Sequence, residues 1–167
     1  MNRRGFTLIE LLAVIIILGL VMVIVIPNSI NGYKKSRLKV EESFISRLSE
    51  SIDSYVSLET IGSNLKYNKG SFTKTKTGED TPVMVYEDVI TFNDLINSNI
   101  ISKSDFIDPN SKKNCDVEAS ISIYKDSDFV YCHRVLKSSL NDCLSDDYKE
   151  EHNEEYIIDT CSWEEAE

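Results

Sequence analysis

From Phe6 to Ile26 the only clearly polar side chains are Thr7 and Glu10, and from Leu11 to Ile26 there are none. A helix over these residues is about 31 Å long at 1.5 Å per residue, the thickness of a bilayer core. A helix buried in a soluble domain is rarely apolar on every face for such a length. A cleaved secretory signal is the natural rival, since Arg3 and Arg4 supply a basic start. The run is too long for that, however, and no small-residue cleavage site follows it. It continues instead into Ile26-Pro27-Asn28 and then a helical pattern. The sequence therefore predicts a single membrane-spanning helix over 6–26.

Glu10 is the exception within the run. A carboxylate in the hydrocarbon region costs about 2.5–3.5 kcal/mol on insertion scales, so it calls for a partner or a role. A position near the membrane surface, or a protonated side chain, would also account for it.

Gly5-Phe6-Thr7-Leu8-Ile9-Glu10, placed after a short basic leader and directly before the apolar run, resembles the processing motif of type IV prepilins and pseudopilins. Pro27 also falls where many members of that family carry a helix-bending proline. The resemblance implies cleavage between Gly5 and Phe6 by a prepilin peptidase and N-methylation of the new Phe6 terminus. It also implies a role for Glu10 in assembly, its carboxylate pairing with the terminal amine of a neighbouring subunit. A buried acid and a buried amine each become tolerable when they meet. The close resemblance covers Met1 to about Pro27; beyond it the likeness is one of architecture.

The apolar stripe continues after Pro27. Phe44, Ile45, Leu48, Ile52, Tyr55 and Val56 recur at spacings of one, three and four, with Ser46, Arg47, Glu50, Ser54 and Ser57 opposite. Gly62 is the expected stop. The polar stretch that follows reads as turns at Lys69-Gly70-Ser71 and Thr77-Gly78-Glu79-Asp80, around a loose hairpin of Phe72–Thr77 with Pro82–Tyr86. Thr91-Phe92-Asn93-Asp94 reads as a capping box opening a short helix to about Asn97. Asp108-Pro109-Asn110 marks a turn. Val117–Tyr124 alternates, Lys125–Asp128 turns, and Phe129–Leu136 returns, giving a second hairpin.

The fold class expected is α+β: a long N-terminal helix, transmembrane in its first half and amphipathic in its second, packed on a small antiparallel sheet. The organisation expected is a leader over 1–5, a helix over 6–62 with a bend near Pro27, and an extracytoplasmic globular head over 63–167. A short helix, a proline turn, a cysteine, a hairpin and another cysteine follow one another in many Gram-positive pilin-like heads, which this order resembles.

Four cysteines, Cys115, Cys132, Cys143 and Cys161, lie in the last third. None forms a C-x-x-C pair, so zinc spacing is absent. An even count in a polar domain behind an apolar N-terminus points to disulfides in an oxidising compartment, the alternative being four buried thiols. Three connectivities exist. With Tyr124 opposite Phe129, Cys132 faces Ile121 and Cys115 falls beyond the hairpin, opposite about Ser138. That placement favours Cys115 with Cys143 and Cys132 with Cys161.

Charge and motif counts narrow the function classes. The 18 Lys and Arg against 28 Asp and Glu leave a formal net of −10, so direct nucleic-acid contact is not expected. His133 and His152 belong to no recognisable acid-and-nucleophile arrangement, Asp126 and Asp128 lack the rest of a calcium loop, and no phosphate loop is present. No catalytic residue, metal or cofactor is expected, and the acid-rich tail reads as a solvated surface. Lys34, Lys35, Arg37 and Lys39 follow the span against only Arg3 and Arg4 before it, the reverse of the positive-inside rule. They read as a solvated face, as partners for acids such as Glu41 and Glu42 of neighbouring subunits, or as contacts to lipid headgroups before assembly.

What the resemblance implies is a structural subunit of a type IV pilus or pseudopilus. It would begin as a single-pass precursor in the cytoplasmic membrane, N-terminus inside, and end in a filament at the cell surface. The partners implied are a prepilin peptidase, an assembly ATPase with its membrane platform, other pilin subunits and the membrane. A minor tip, priming or adhesive pilin, a competence-type pseudopilin serving DNA uptake, and a membrane-anchored enzyme are the rivals.

Overall fold

The computed structural model describes residues 7–62, 65, 70–75, 82–126 and 130–162; for 24–29, 59–62, 70–75, 82 and 83 it describes the backbone alone. The elements are α1 (Leu8–Gly62), β1 (Gly70–Thr75), β2 (Pro82–Thr91), α2 (Phe92–Asn97), β3 (Ser120–Asp126), β4 (Tyr131–Leu136), a 3-10 turn over Lys137–Cys143, α3 (Asp146–Glu151) and β5 (Tyr156–Asp159). By contacts the chain divides into two units, Met1–Lys39 and Val40–Glu167.

In the first unit every described side chain from Thr7 to Val23 is exposed, Leu8 at 85% and Leu20 at 66% among them. Among the described residues no helix is long and apolar enough to cross a membrane. Phe6 and the side chains of Ile24, Val25 and Ile26, which complete the run read from sequence, lie outside the described residues, as does the Pro27 side chain. Helical backbone runs through position 27.

The second unit is an α-helix on an antiparallel meander, strand order β1-β2-β3-β4-β5. The expected α+β pairing of a long helix with a small sheet is therefore present. Phe44, Ile45, Leu48, Ile52, Tyr55 and Val56 are all buried, as their helical spacing requires. They pack toward the sheet face carrying Ile121, Ile123, His133 and Val135, none more than 1% exposed. Phe106 joins the layers, 4.6 Å from the Phe92 ring in a stacked arrangement and 6.5 Å from the Phe44 ring. Thr91 begins α2 as its composition predicts: its N–H donates to Asp94 Oδ2 at 2.7 Å and its Oγ1 at 2.9 Å.

Several expectations are corrected. The β3–β4 register places Tyr124 opposite Cys132 and Ile123 opposite His133, three residues away from Tyr124 opposite Phe129. The cause is Asp126, wholly buried. Its N–H donates to the Val130 carbonyl at 3.0 Å and its Oδ1 accepts the Val130 N–H at 2.8 Å. These bonds close a wider loop and hold β3 extended two residues beyond Tyr124; residues 127–129 of the expected turn lie outside the described residues. β2 runs on to Thr91 and pairs with β3 from Val85 to Thr91, where the sequence reading ended the strand at Tyr86. Gly70 and Ser71 belong to β1 and not to a turn; the turn read at 77–80 lies outside the described residues. The acid-rich tail is not merely a solvated surface. It contributes α3 and β5, the latter antiparallel to β4 with Val135 opposite Ile158, and buries Tyr148 and Ile158.

Candidate functional site

The second unit brings together polar side chains that lie far apart along the chain. His133 enters from β4 beneath α1, 1% exposed. Its Nε2 lies 3.0 Å from Ser49 Oγ and its Nδ1 3.2 Å from Asp53 Oδ1. Thr160 closes the far side: its Oγ1 accepts the His133 N–H at 2.8 Å, and its own N–H donates to the His133 carbonyl at 3.1 Å. Ser49 and Asp53 stand four residues apart on one helix face. That spacing, beside an alternation that turns position 133 inward with Ile121 and Ile123, was the available signal.

A serine, a histidine and an acid at these distances resemble a proton relay. The surroundings do not complete one. Ser49 lies in mid-helix, where amides are consumed by the helix's own bonds and cannot serve an oxyanion. The groove beside it, lined by Phe44, Arg47, Leu48, Ile101 and Phe106 among others, is about 220 Å³ and does not include Ser49. That is below the roughly 300–1,000 Å³ of small-molecule sites. The cluster acts as a polar clamp between α1 and the sheet.

Burial holds the His133 pKa below its ordinary 6.5, against the opposing pull of Asp53 and Asp159. The folded state therefore favours the neutral ring, while the unfolded chain takes up a proton near pH 6.5. Stability from this group is full above that pH and falls as the pH drops through it, levelling off below the folded pKa. Full-length protein melted from pH 7.5 down to pH 5 should lose Tm, and its advantage over a His133→Gln variant should shrink across the same window. A constant difference would contradict the assignment.

A second buried polar contact joins α1 to α3. Glu41 has no exposed surface. Its Oε1 accepts the Ser145 N–H at 2.7 Å and its Oε2 accepts the Ser145 hydroxyl at 2.9 Å. Ser145 in turn caps α3, its Oγ accepting the Tyr148 N–H at 3.3 Å. Burial, followed by Glu42 and Glu41, pushes the Tyr148 phenol up to about 12. Glu41 is thus committed within its own chain, which corrects its reading as an acid offered to neighbouring subunits.

The cysteines are paired as Cys115–Cys143 and Cys132–Cys161, each with Cα atoms 5.1 Å apart. The first pair is buried at both ends. The second stands on the opposite face of the sheet from α1, in a small cluster with Val85 and Tyr124. Cys132 faces Tyr124, and not Ile121 as the shorter loop required.

At the other end of the chain, Thr7 and Glu10 form a reciprocal cap on α1. Glu10 Oε2 accepts the Thr7 N–H at 2.9 Å and the Thr7 hydroxyl at 2.9 Å, and the Glu10 N–H approaches Thr7 Oγ1 at 3.4 Å. Thr-x-x-Glu at a helix start is a capping box. The carboxylate at the head of the apolar run is therefore satisfied locally, within its own chain. Gly5 and Phe6 lie outside the described residues.

Residues 1–26 match the family described as the prokaryotic N-terminal methylation motif. No curated protein and no solved structure matches the chain. Among the described residues the match corresponds to an apolar helix exposed from Leu8 to Val23 and opened by a Thr-Glu cap, and the chain accordingly carries over residues 1–26 the N-terminal methylation motif that is the type IV pilin signature.

Proposed function

We propose that this chain is a structural subunit of a type IV pilus or related pseudopilus. The observation that carries the reading is the exposed apolar surface of α1 from Leu8 to Val23, within the residues that match the methylation motif. Apolar surface of that extent marks a membrane or protein contact. In this reading the precursor spans the cytoplasmic membrane through 6–26, with its head outside. A prepilin peptidase cuts between Gly5 and Phe6, Phe6 is N-methylated, and an assembly ATPase with its membrane platform draws the subunit into a polymer. Glu10 exchanges its Thr7 cap for the terminal amine of a neighbour. A bend at Pro27, which the resemblance to pilins implies, would let the apolar half adjust while the head keeps its own packing. The role is structural and not enzymatic.

N-terminal mass spectrometry of the mature protein tests this: the chain should begin at methylated Phe6. A Glu10→Val variant should be processed in the same way yet yield about a hundredfold fewer filaments, the scale of leaving one buried charge unpaired. A mature chain still starting at Met1, or undiminished assembly of the variant, would overturn the reading.

A further inference from the structure

The bridges join the first cysteine to the third and the second to the fourth, and the sheet lies between the two pairs. Cys115 and Cys143 are on the α1 side. The Cys115 N–H donates to the Phe106 carbonyl at 3.3 Å, and the Phe106 ring stands 6.5 Å from that of Phe44 on α1. Cys143 ends the 3-10 turn, just before the Ser145 that Glu41 holds. Cys132 and Cys161 are on the other side, with Val85 and Tyr124. A bridge from a cysteine of one pair to a cysteine of the other therefore pulls across the sheet and blocks its closure. Loop statistics favour such bridges. Cys115 is separated from Cys132, and Cys143 from Cys161, by about three-fifths of the native 28 and 29 residues, and closure entropy then favours this sequential pairing over the native one by about fourfold. The reduced head has little means of choosing otherwise, because two bridges of this size together carry a stabilisation comparable with that of a whole small domain. Cys132 also meets Cys161 only when β5, the last element of the chain, has paired with β4.

From this placement we propose that the head is the substrate of a thiol–disulfide exchange partner, one that presents a free thiolate and converts the sequential pairing into the native one. That the partner works outside the membrane rests on the membrane-inserted reading above. The sequential form has no thiol of its own left, since the chain holds four cysteines. The partner's thiolate attacks Cys132 Sγ and expels Cys115 as a thiolate, leaving Cys132 in a mixed disulfide with the partner. The Cys115 thiolate attacks Cys143 Sγ, forms Cys115–Cys143 and expels Cys161. The Cys161 thiolate attacks Cys132 Sγ, forms Cys132–Cys161 and returns the partner's thiolate. Each step makes one S–S bond and breaks one, so neither oxidant nor reductant is consumed. Folding pulls the sequence forward, because its product places Cys115, Cys132 and Cys143 at 6% exposure or less, where a thiolate no longer reaches them.

The test uses full-length protein, reduced and unfolded, then diluted into detergent with the thiol-free oxidant diamide. Lys113, Lys125, Lys137 and Lys149 place the four cysteines on different tryptic peptides, so mass spectrometry without reduction reads the pairing. The sequential pairing should exceed the native one by about fourfold and persist after the diamide is removed. Reduced glutathione, added at that point as the thiolate, should reverse the ratio, with native pairs in excess by more than about tenfold, as a stable fold requires. Native pairs in the majority before any thiol is added overturn the exchange step, because the fold then selects its partners unaided. A sequential form that glutathione leaves unchanged overturns it as well. Neither result touches residues 1–26, so the N-terminal mass spectrometry above decides the filament reading separately.

Discussion

Full-length protein carrying both Cys115→Ala and Cys143→Ala is expected to be less stable than wild type by about 3–4 kcal/mol in denaturant unfolding. The bridge closes a separation of 28 residues, and loop-closure entropy for a ring of that size gives about that figure. Both cysteines are buried, at 5% and 0% exposure, so replacing them also removes packed atoms from the core. The matching pair, Cys132→Ala with Cys161→Ala, opens a ring of almost equal size, with a separation of 29. Its loss should cost a similar entropic amount. The difference lies in what is freed. Cys161 is half-exposed at the end of the described chain, so its release should loosen β5 and leave the α1 stripe packed. Circular dichroism for the whole fold, with hydrogen exchange at Ile158 for β5, separates the two. A loss below about 1 kcal/mol for the first pair would show that the 3-10 turn is held by packing alone.

The second large effect belongs to Glu41. Glu41→Ala removes a carboxylate with no solvent contact and leaves the Ser145 N–H and hydroxyl without their acceptor. Hydrogen bonds to a charged group and the desolvation of stranded donors together suggest a loss of about 3 kcal/mol. Glu41→Gln keeps an acceptor oxygen for the Ser145 N–H and should lose less. Ser145→Ala removes the α3 cap, worth about 1 kcal/mol by itself, and strips Glu41 of one donor. The double variant Glu41→Ala with Ser145→Ala should then be more stable than the sum of the single losses, because the two changes share one contact. Strict additivity would show that the carboxylate and the serine do not depend on each other.

The two contacts differ in how readily a sequence discloses them. The α1 stripe was legible because six apolar residues at helical spacing have one arrangement that buries them all. Thr91-Phe92-Asn93-Asp94 was legible because a capping box is local chemistry. The N-terminal motif was legible as a pattern, although the same letters, Thr7 to Glu10, also encode a helix cap that satisfies Glu10 within its own chain. The β3–β4 register was not legible. It turns on Asp126 being buried and bonding across to Val130, while the alternating pattern accepts several loop lengths. The tail misled by composition. In α3 one buried side chain, Tyr148, outweighs four acids and a lysine, because short elements need only one anchor each when a neighbour supplies the cap. Glu41 was misread for a related reason: nothing local distinguishes a buried acid with distant donors from a surface one.

The two disulfides interleave, since Cys132 lies inside the ring closed by Cys115 and Cys143 while Cys143 lies inside the ring closed by Cys132 and Cys161. A single backbone cut anywhere from Cys115 to Cys161 thus leaves the two fragments covalently joined, and one between Cys132 and Cys143 is spanned twice. β3, β4, α3 and β5 all lie within that span. Under the filament role proposed above, a nick in this third of the chain becomes a local scar, because the disulfides still tie the cut ends into one covalent piece.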